Sequence, residues 1–309
     1  MADPQAATPG PGRRVGAFLK LTRFPLVFTA IADSAAGYLL TLPPPYRPEW
    51  MTLALLAATS ACLYASGMVF NDVADYLRDR VLHPERPLPS KRVSMVAARR
   101  FGLLLMFAAG LFGCLLNFMS GQAVLVILVL IFAYNFYAKA SPVPGALAMG
   151  FVRAANLTLG CLAVSPPWLG AVVVPPWDRA GYAHAILLGG YVFFLTVLST
   201  LEEKRVDRRI FLCCTVAMAG APVLSLLLAR SAAAIASASA LGALLLLHAL
   251  ASLRSLDRAA VMRNVRWGVL AIIALDATFV MGRAGAREGL MVLALALPAL
   301  ALLPLFRRL

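Results

Sequence analysis

The stretch NDVADYLRD, residues 71–79, ends a long apolar segment and places three carboxylates and one carboxamide within nine residues. On a helix, at about 100° per residue, one arc of roughly 100° holds Asn71, Asp72, Asp75 and Asp79. Carboxylates that converge at the end of an apolar helix repel one another unless a cation neutralises them, and oxygen ligands of this kind suit Mg²⁺. The stretch therefore predicts a divalent-metal site at a membrane boundary. The alternative is a polar helix end that emerges into water.

The composition excludes an ordinary soluble domain. The chain is 61% hydrophobic and 14% charged, and its mean hydropathy is +0.82, which is typical of a polytopic membrane protein. In lipid the spans should be helices, because every backbone polar group must be satisfied within its own segment. We predict an all-α transmembrane bundle of nine to ten spans, drawn from the apolar stretches 24–43, 51–71, 98–117, 121–137, 144–163, 184–201, 209–229, 232–250, 266–282 and 288–306.

The charge distribution predicts the topology. Net charge is +14, and 22 of the 28 lysines and arginines lie in segments on the same side as the N-terminus, against five on the other side. This asymmetry follows the positive-inside rule. We therefore expect contact with anionic membrane lipid rather than nucleic acid. We also expect a multi-pass protein of a bacterial inner membrane, with the N-terminus and the acidic motifs in the cytoplasm.

The chain is predicted to hold one integral membrane domain, residues 16–309, after a disordered tail at 1–15. The first residues of that tail are uncharged or acidic and lack an apolar core, so they do not resemble a signal peptide. The five cysteines lie in or beside apolar spans without metal-type spacing. We interpret them as packing residues.

A second acidic pair follows the sixth apolar stretch. Glu203 and Asp207 are four residues apart and share a helix face. One interpretation is a second carboxylate pair for a metal. The alternative is a charged loop in which these acids form salt bridges with Lys204, Arg205 and Arg208.

Basic residues near the first acidic motif predict an anion site. Arg86 follows that motif, Lys139 follows the fourth apolar stretch, and Arg153 shares a helix face with Asn156 inside the fifth. An arginine within a span is costly and usually faces an interior cavity. Acids and bases gathered at one end of an interior cavity, its mouth, suit a polyanion bound through a metal, such as a diphosphate.

Two further acids, Asp33 and Asp276, lie within predicted spans. Each is open to interpretation as a proton relay, a partner of Arg153 or a buried protonated residue. We expect Asp33 to face the cavity, because Arg23 and Thr29 precede it on the first span. For Asp276 we favour a simple buried residue.

These motifs resemble the UbiA superfamily of intramembrane prenyltransferases. Its NDxxDxxxD signature is matched by residues 71–79, and the RPLPS run at 86–90 is similar to the stretch that follows that signature. Tyr134 with Lys139 looks like the family's tyrosine-lysine element, and Arg23 with Pro25 like its first helix.

The resemblance implies a helical bundle around a central cavity, with two Mg²⁺ ions that hold an isoprenyl diphosphate and with the prenyl tail in an apolar tunnel. It carries the following roles onto this chain. Catalytic residues are Asp72, Asp75 and Lys139. Metal ligands are Asn71, Asp72, Asp75, Asp79, Glu203 and Asp207. Diphosphate-binding residues are Arg23, Arg86, Lys139, Arg153 and Asn156, and residues that face the prenyl cation are Tyr134 and Tyr137.

The chain departs from the family's pattern at the second acidic motif. The family usually has a DxxxD-type pair, whereas this chain offers Glu203 and Asp207, with Thr200 where another aspartate is expected. The sequence therefore does not decide whether the chain holds a second metal site. The pattern around 23–33 and 153–156 is similar to the EboC-like branch of the superfamily.

The predicted function is Mg²⁺-dependent transfer of a prenyl group from an isoprenyl diphosphate to a lipophilic acceptor within the membrane. An aromatic ring is the family's commonest acceptor, but this sequence does not demand one. The alternatives are a multi-span transporter, a catalytically weakened UbiA-like lipid-binding or assembly protein, and a terpene cyclase. A transporter would place its ionisable residues near the middle of the membrane rather than at one mouth.

Overall fold

The computed structural model describes residues 11–42, 47–164, 179–202, 206–227 and 231–308, which form helices and turns without a strand. The helices are α1 Pro11–Leu21, α2 Val27–Thr41, α3 Trp50–Ala74, α4 Tyr76–Leu82, α5 Met95–Leu116, α6 Phe118–Phe136, α7 Pro142–Leu162, α8 Arg179–Ser199, α9 Arg208–Ser225, α10 Ala232–Ser252, α11 Arg258–Arg283, α12 Ala286–Leu293 and α13 Ala296–Arg308. The all-α prediction is confirmed.

In the described ranges, ten helical segments are long and apolar enough to cross a membrane. This number agrees with the upper count predicted from hydropathy. The tenth segment, residues 286–304, is not one continuous helix. It is divided into α12 and α13 by a turn at Ala294 and Leu295.

Helices α2 and α11 form the centre of the bundle. In the most apolar window of α2, 72% of the residues are buried, and α2 packs against α3, α7 and α11. Glycine allows α2 and α7 to approach at backbone distance, since a Cβ atom added to Gly160 would lie 1.9 Å from the carbonyl oxygen of Ser34. Small residues at helix crossings are typical of membrane bundles.

Helix α1 begins inside the predicted N-terminal tail. It starts at Pro11, and proline suits the first turn of a helix because its missing N–H is not needed there. Ala17 and Leu21 are buried in a cluster with Leu88 and Val93. The structure therefore extends the helical part back over residues 11–15, and residues 1–10 of the predicted tail lie outside the described residues.

The first acidic motif lies where α3 meets α4. Asp75 separates the two helices, with φ −86° and ψ 2°. Its amide donates to the carbonyl of Asn71 at 2.9 Å, and the amide of Asp79 donates to the carbonyl of Asp75 at 2.8 Å. Because the ladder of hydrogen bonds continues through the break, the acidic side chains stay on one side of the chain.

Candidate active site

Each carboxylate of the first motif faces a basic side chain. Lys139 Nζ lies 2.7 Å from Asp75 Oδ1 and 3.3 Å from Asn71 Oδ1. Arg86 Nη1 lies 2.6 Å from Asp79 Oδ2. The structure thus brings the acidic motif together with two of the bases that the sequence predicted for it.

Asp72 has the weakest pairing of the three aspartates. Arg23 Nη2 lies 3.6 Å from Asp72 Oδ1, which is beyond hydrogen-bond distance. Asp72 is 5% exposed, and its Oδ1 atom has no hydrogen-bond partner among the described residues. A buried carboxylate oxygen without a donor is costly. This oxygen is therefore a candidate ligand for a cation.

Arg23 is held in a strained backbone conformation. Its φ of 48° and ψ of 47° place it in the left-handed region, which costs a non-glycine residue on the order of 1–3 kcal/mol and is concentrated at functional sites. The turn joins α1 to the short 3-10 helix at Phe24–Leu26, so it directs the guanidinium toward Asp72. The sequence motif identified Arg23 but not this conformation.

The loop after the acidic motif is held by its own backbone contacts and by packing against α1, α3 and α5. Leu88 and Val93 are buried, and the amide of Val93 donates to the carbonyl of Pro87 at 3.1 Å. Nearby, partial burial lowers the pKa of Lys20, and the positive charge of Arg92 lowers it further. The loop therefore fixes Arg86 in a strongly cationic region beside the acids.

A cavity of about 280 Å³ opens below these pairs. Its upper part includes Arg23 and Tyr134, and its walls are mainly aliphatic residues of α3, α6, α7, α8 and α11. Such a cavity, apolar with a few polar groups, is typical of a ligand site. It confirms the predicted central cavity.

Of the two tyrosines predicted to face a prenyl cation, Tyr134 lines the cavity and Tyr137 does not. Tyr137 is 80% exposed, because α6 ends at Phe136 and the chain turns into a 3-10 helix at Ala138. The prediction for Tyr137 is therefore corrected by its place outside the cavity.

Arg153 and Asn156 also line the cavity, and their hydrogen bonds are with α2 and with Ser60 of α3 rather than with the acidic motif. Arg153 binds Asp33 of α2 through Nε–Oδ2 and Nη2–Oδ1 contacts of 3.0 Å each. Asn156 donates to Asp33 Oδ2 at 3.3 Å and accepts from Ser60 at 2.8 Å. Among the roles left open for Asp33, the structure supports that of a partner of Arg153.

Asp276 has a partner that the sequence interpretation missed. His184 Nε2 lies 2.9 Å from Asp276 Oδ1, and both residues are fully buried. The imidazole also stacks on Phe279, with ring centroids 4.2 Å apart. The available signal was a histidine at the start of one apolar span and an acid inside another, since a buried acid in a membrane requires a partner.

The second acidic motif is only partly described. Glu203 lies outside the described residues. Asp207 is exposed and caps α9, where its Oδ1 accepts from the amides of Arg209 at 2.7 Å and Ile210 at 3.2 Å. This is the usual role of an N-cap aspartate, and the second carboxylate oxygen stays available.

The donor set of the first motif fits Mg²⁺. Across the described ranges, no three His, Cys, Asp or Glu side chains converge as in a closed metal site. Instead, each aspartate faces a base, and Asp72 keeps an unpartnered oxygen. Hard oxygen donors in an incomplete set are what Mg²⁺ requires when substrate phosphates supply its other ligands.

Comparisons with known proteins identify relatives of this chain. Among curated proteins, the digeranylgeranylglyceryl phosphate synthase of Ignicoccus hospitalis is 35% identical over 38% of this chain and 39% of its own length. The enzyme of the same name from Sulfolobus acidocaldarius is 29% identical over 63% of this chain and 66% of its own. The chain thus spans about two fifths to two thirds of the length of these relatives.

Solved structures share the fold. A UbiA homolog from Aeropyrum pernix K1 superimposes with a TM-score of 0.66 at 18% identity, over 82% of this chain and 97% of that one. A UbiA homolog from Archaeoglobus fulgidus bound to GPP and Mg²⁺ gives 0.58 at 15% identity, over 90% and 99%. The model of the UbiA prenyltransferase family matches residues 28–270. The chain therefore belongs to the UbiA prenyltransferase family.

Proposed function

We propose that the protein transfers a prenyl group from an isoprenyl diphosphate to a lipophilic acceptor, in a Mg²⁺-dependent reaction within the membrane. The observation that carries this proposal is the set of acid–base pairs at the mouth of an apolar cavity. Those pairs suit a charged diphosphate at the mouth, and the cavity suits an apolar chain below it.

The donor site is assigned to the residues at the mouth. Asn71, Asp72, Asp75 and Asp79 would hold Mg²⁺, which, when bound, neutralises the diphosphate and favours its departure. Arg23, Arg86 and Lys139 surround the same acids, so their N–H groups are placed to donate to phosphate oxygens. These bases already lie within 4 Å of the carboxylates. Only short side-chain movements are therefore needed for them to contact a diphosphate bound at the acids.

Asp72, Asp75 and Lys139 are the proposed catalytic residues. Lys139 stands between Asn71 and Asp75, where its ammonium group can stabilise negative charge that builds on the leaving diphosphate. The aliphatic cavity walls exclude water, which would otherwise quench an allylic cation. The π face of Tyr134 is available to stabilise that cation.

The second acidic motif is assigned to a second Mg²⁺ ion, with Glu203 and Asp207 as its ligands. Support comes from the free oxygen of Asp207 and from the resemblance to the family's pattern. Because Asp207 also caps α9, removal of its carboxylate would affect the helix as well as the metal.

The relatives favour a transferase over the alternatives. Curated relatives are named digeranylgeranylglyceryl phosphate synthase, a name that indicates prenyl chemistry and not transport. They are archaeal proteins, and the bacterial membrane expected from the sequence stays a prediction. The chain is an integral multi-pass membrane protein, and the asymmetry of basic residues supports a cytoplasmic position for the mouth.

Product formation tests this proposal. Purified protein would be incubated with radiolabelled prenyl diphosphates of several lengths, with or without Mg²⁺, and with a membrane lipid extract as the source of acceptor. We expect a labelled lipid product that requires Mg²⁺ and is lost in Asp72→Asn. The matched control Glu85→Gln changes an exposed acid of the neighbouring loop and should retain the product. Donor binding without any product would favour the weakened homologue, and an absence of donor binding would refute the proposal.

A further inference from the structure

The cavity contains two polar sites at different depths. Arg23 lies at the mouth, whereas Thr29 and Asp33, which bind Arg153, lie further along α2. Counted from the start of α2 at Val27, Asp33 lies roughly 9 Å further along the helix axis, at about 1.5 Å per residue. We name the deeper set, Arg153, Asn156 and Ser60, the floor site.

The guanidinium of Arg153 is fixed but not fully used. Its Nε and Nη2 atoms contact the carboxylate of Asp33, and Nη2 also donates to the carbonyl of Thr29 at 3.1 Å. The side chain is only 9% exposed. Among the described residues, Nη1 has no hydrogen-bond partner. It is also not fully buried, since it is absent from the buried atoms that lack a partner. Since Arg153 lines the cavity, the unpaired N–H groups of Nη1 are available to a ligand there.

The charge of the floor site is balanced. The carboxylate of Asp33 lies 3.0 Å from both Nε and Nη2 of Arg153 and so compensates the charge of the guanidinium. A phosphate group would bring uncompensated negative charge into this low-dielectric region, whereas a neutral oxygen would not.

We propose that Arg153 Nη1 recognises an uncharged oxygen, a carbonyl or a hydroxyl, on the lipophilic acceptor, and so determines acceptor specificity at the floor of the cavity. This inference rests on the proposed function, since it assumes that the cavity receives an acceptor as well as a donor. Asn156 and Ser60 hold each other by a hydrogen bond and keep the polar wall beside Arg153 in place.

Equilibrium binding of three tritiated probes to the detergent-purified protein tests this site. Menadione carries two neutral carbonyl oxygens, methylnaphthalene has the same rings without them, and lysophosphatidic acid carries an anionic phosphate. In Arg153→Lys the positive charge remains but the fork of N–H groups is lost. We expect menadione to bind at least about tenfold more weakly to this variant, because a hydrogen bond from a charged donor is removed. Binding of the other two probes should not change.

Two controls separate the outcomes. Arg99→Lys, at an exposed position of α5, should leave menadione binding unchanged. If Arg153→Lys does not fold, the double variant Asp33→Leu/Arg153→Leu removes the ion pair without leaving a buried charge, and menadione should again bind at least about tenfold more weakly.

Menadione binding that is equal in wild type and in the variant that folds, Arg153→Lys or the double variant, would overturn the inference, and so would a loss confined to lysophosphatidic acid. Mg²⁺-dependent binding of geranyl diphosphate (GPP), measured on the same preparations, reports separately on the proposed function. Wild-type protein that binds menadione through Arg153 but does not bind GPP would refute the donor site alone.

Discussion

The buried Arg153–Asp33 pair allows a quantitative test of what holds the centre of the bundle together. Asp33 is fully buried and forms two contacts of 3.0 Å with Arg153. In Asp33→Leu the guanidinium would keep one bond from this network, to the carbonyl of Thr29 at 3.1 Å. Removal of one partner from a buried pair leaves an uncompensated charge, which costs about 3–5 kcal/mol.

The free energy of unfolding in detergent, followed by circular dichroism, would measure this effect. We expect Asp33→Leu to lower it by about 3–5 kcal/mol, and the double variant with Arg153→Leu to regain most of the loss, because hydrophobic replacement of a whole buried pair is often neutral. Asn156 would keep its bond to the carbonyl of Ala30, which is 2.7 Å long. A single variant that costs less than about 1 kcal/mol, or a double variant no more stable than the single, would refute this reasoning.

Three further predictions concern helix packing and the mouth of the cavity. Gly160→Ala should lower the unfolding free energy by about 1–3 kcal/mol, because the new methyl group would meet the carbonyl of Ser34. The control Gly190→Ala has open space around it and should cost little. Equal effects of the two substitutions would contradict the close approach of α2 and α7. Asp207→Asn should preserve the cap of α9 but weaken Mg²⁺-dependent GPP binding; unchanged binding would leave Asp207 as a cap alone. Lys139→Met should weaken GPP binding about tenfold through loss of a charged donor, and unchanged affinity would remove it from the donor site.

Periodicity and charge predicted the fold and the mouth of the site. Apolar length is a strong signal in lipid, so the spans were predictable. The acidic motif was predictable because local helical spacing fixes which side chains share a face, and the slight break at Asp75 does not disrupt that face. The same local logic does not extend to Tyr137, which lies just past the end of α6.

Contacts between distant spans could not be predicted from the local spacing of residues. The pairing of Arg153 with Asp33 was one of several open interpretations, and the His184–Asp276 pair was missed, because helix order and tilt decide which buried acids meet which bases. The turn between α12 and α13 was likewise hidden within an apolar stretch. The similarity to the EboC-like branch stays a prediction.

Equilibrium binding of radiolabelled GPP tests whether the acidic motif binds a prenyl diphosphate through Mg²⁺. Wild-type protein and Asp72→Asn would be titrated with Mg²⁺ and with EDTA, with Glu85→Gln as the control. We expect saturable binding that EDTA abolishes and that Asp72→Asn weakens at least about tenfold, since a charged ligand is lost. Binding that is equal with Mg²⁺ and EDTA, and equal in wild type and Asp72→Asn, would contradict this expectation.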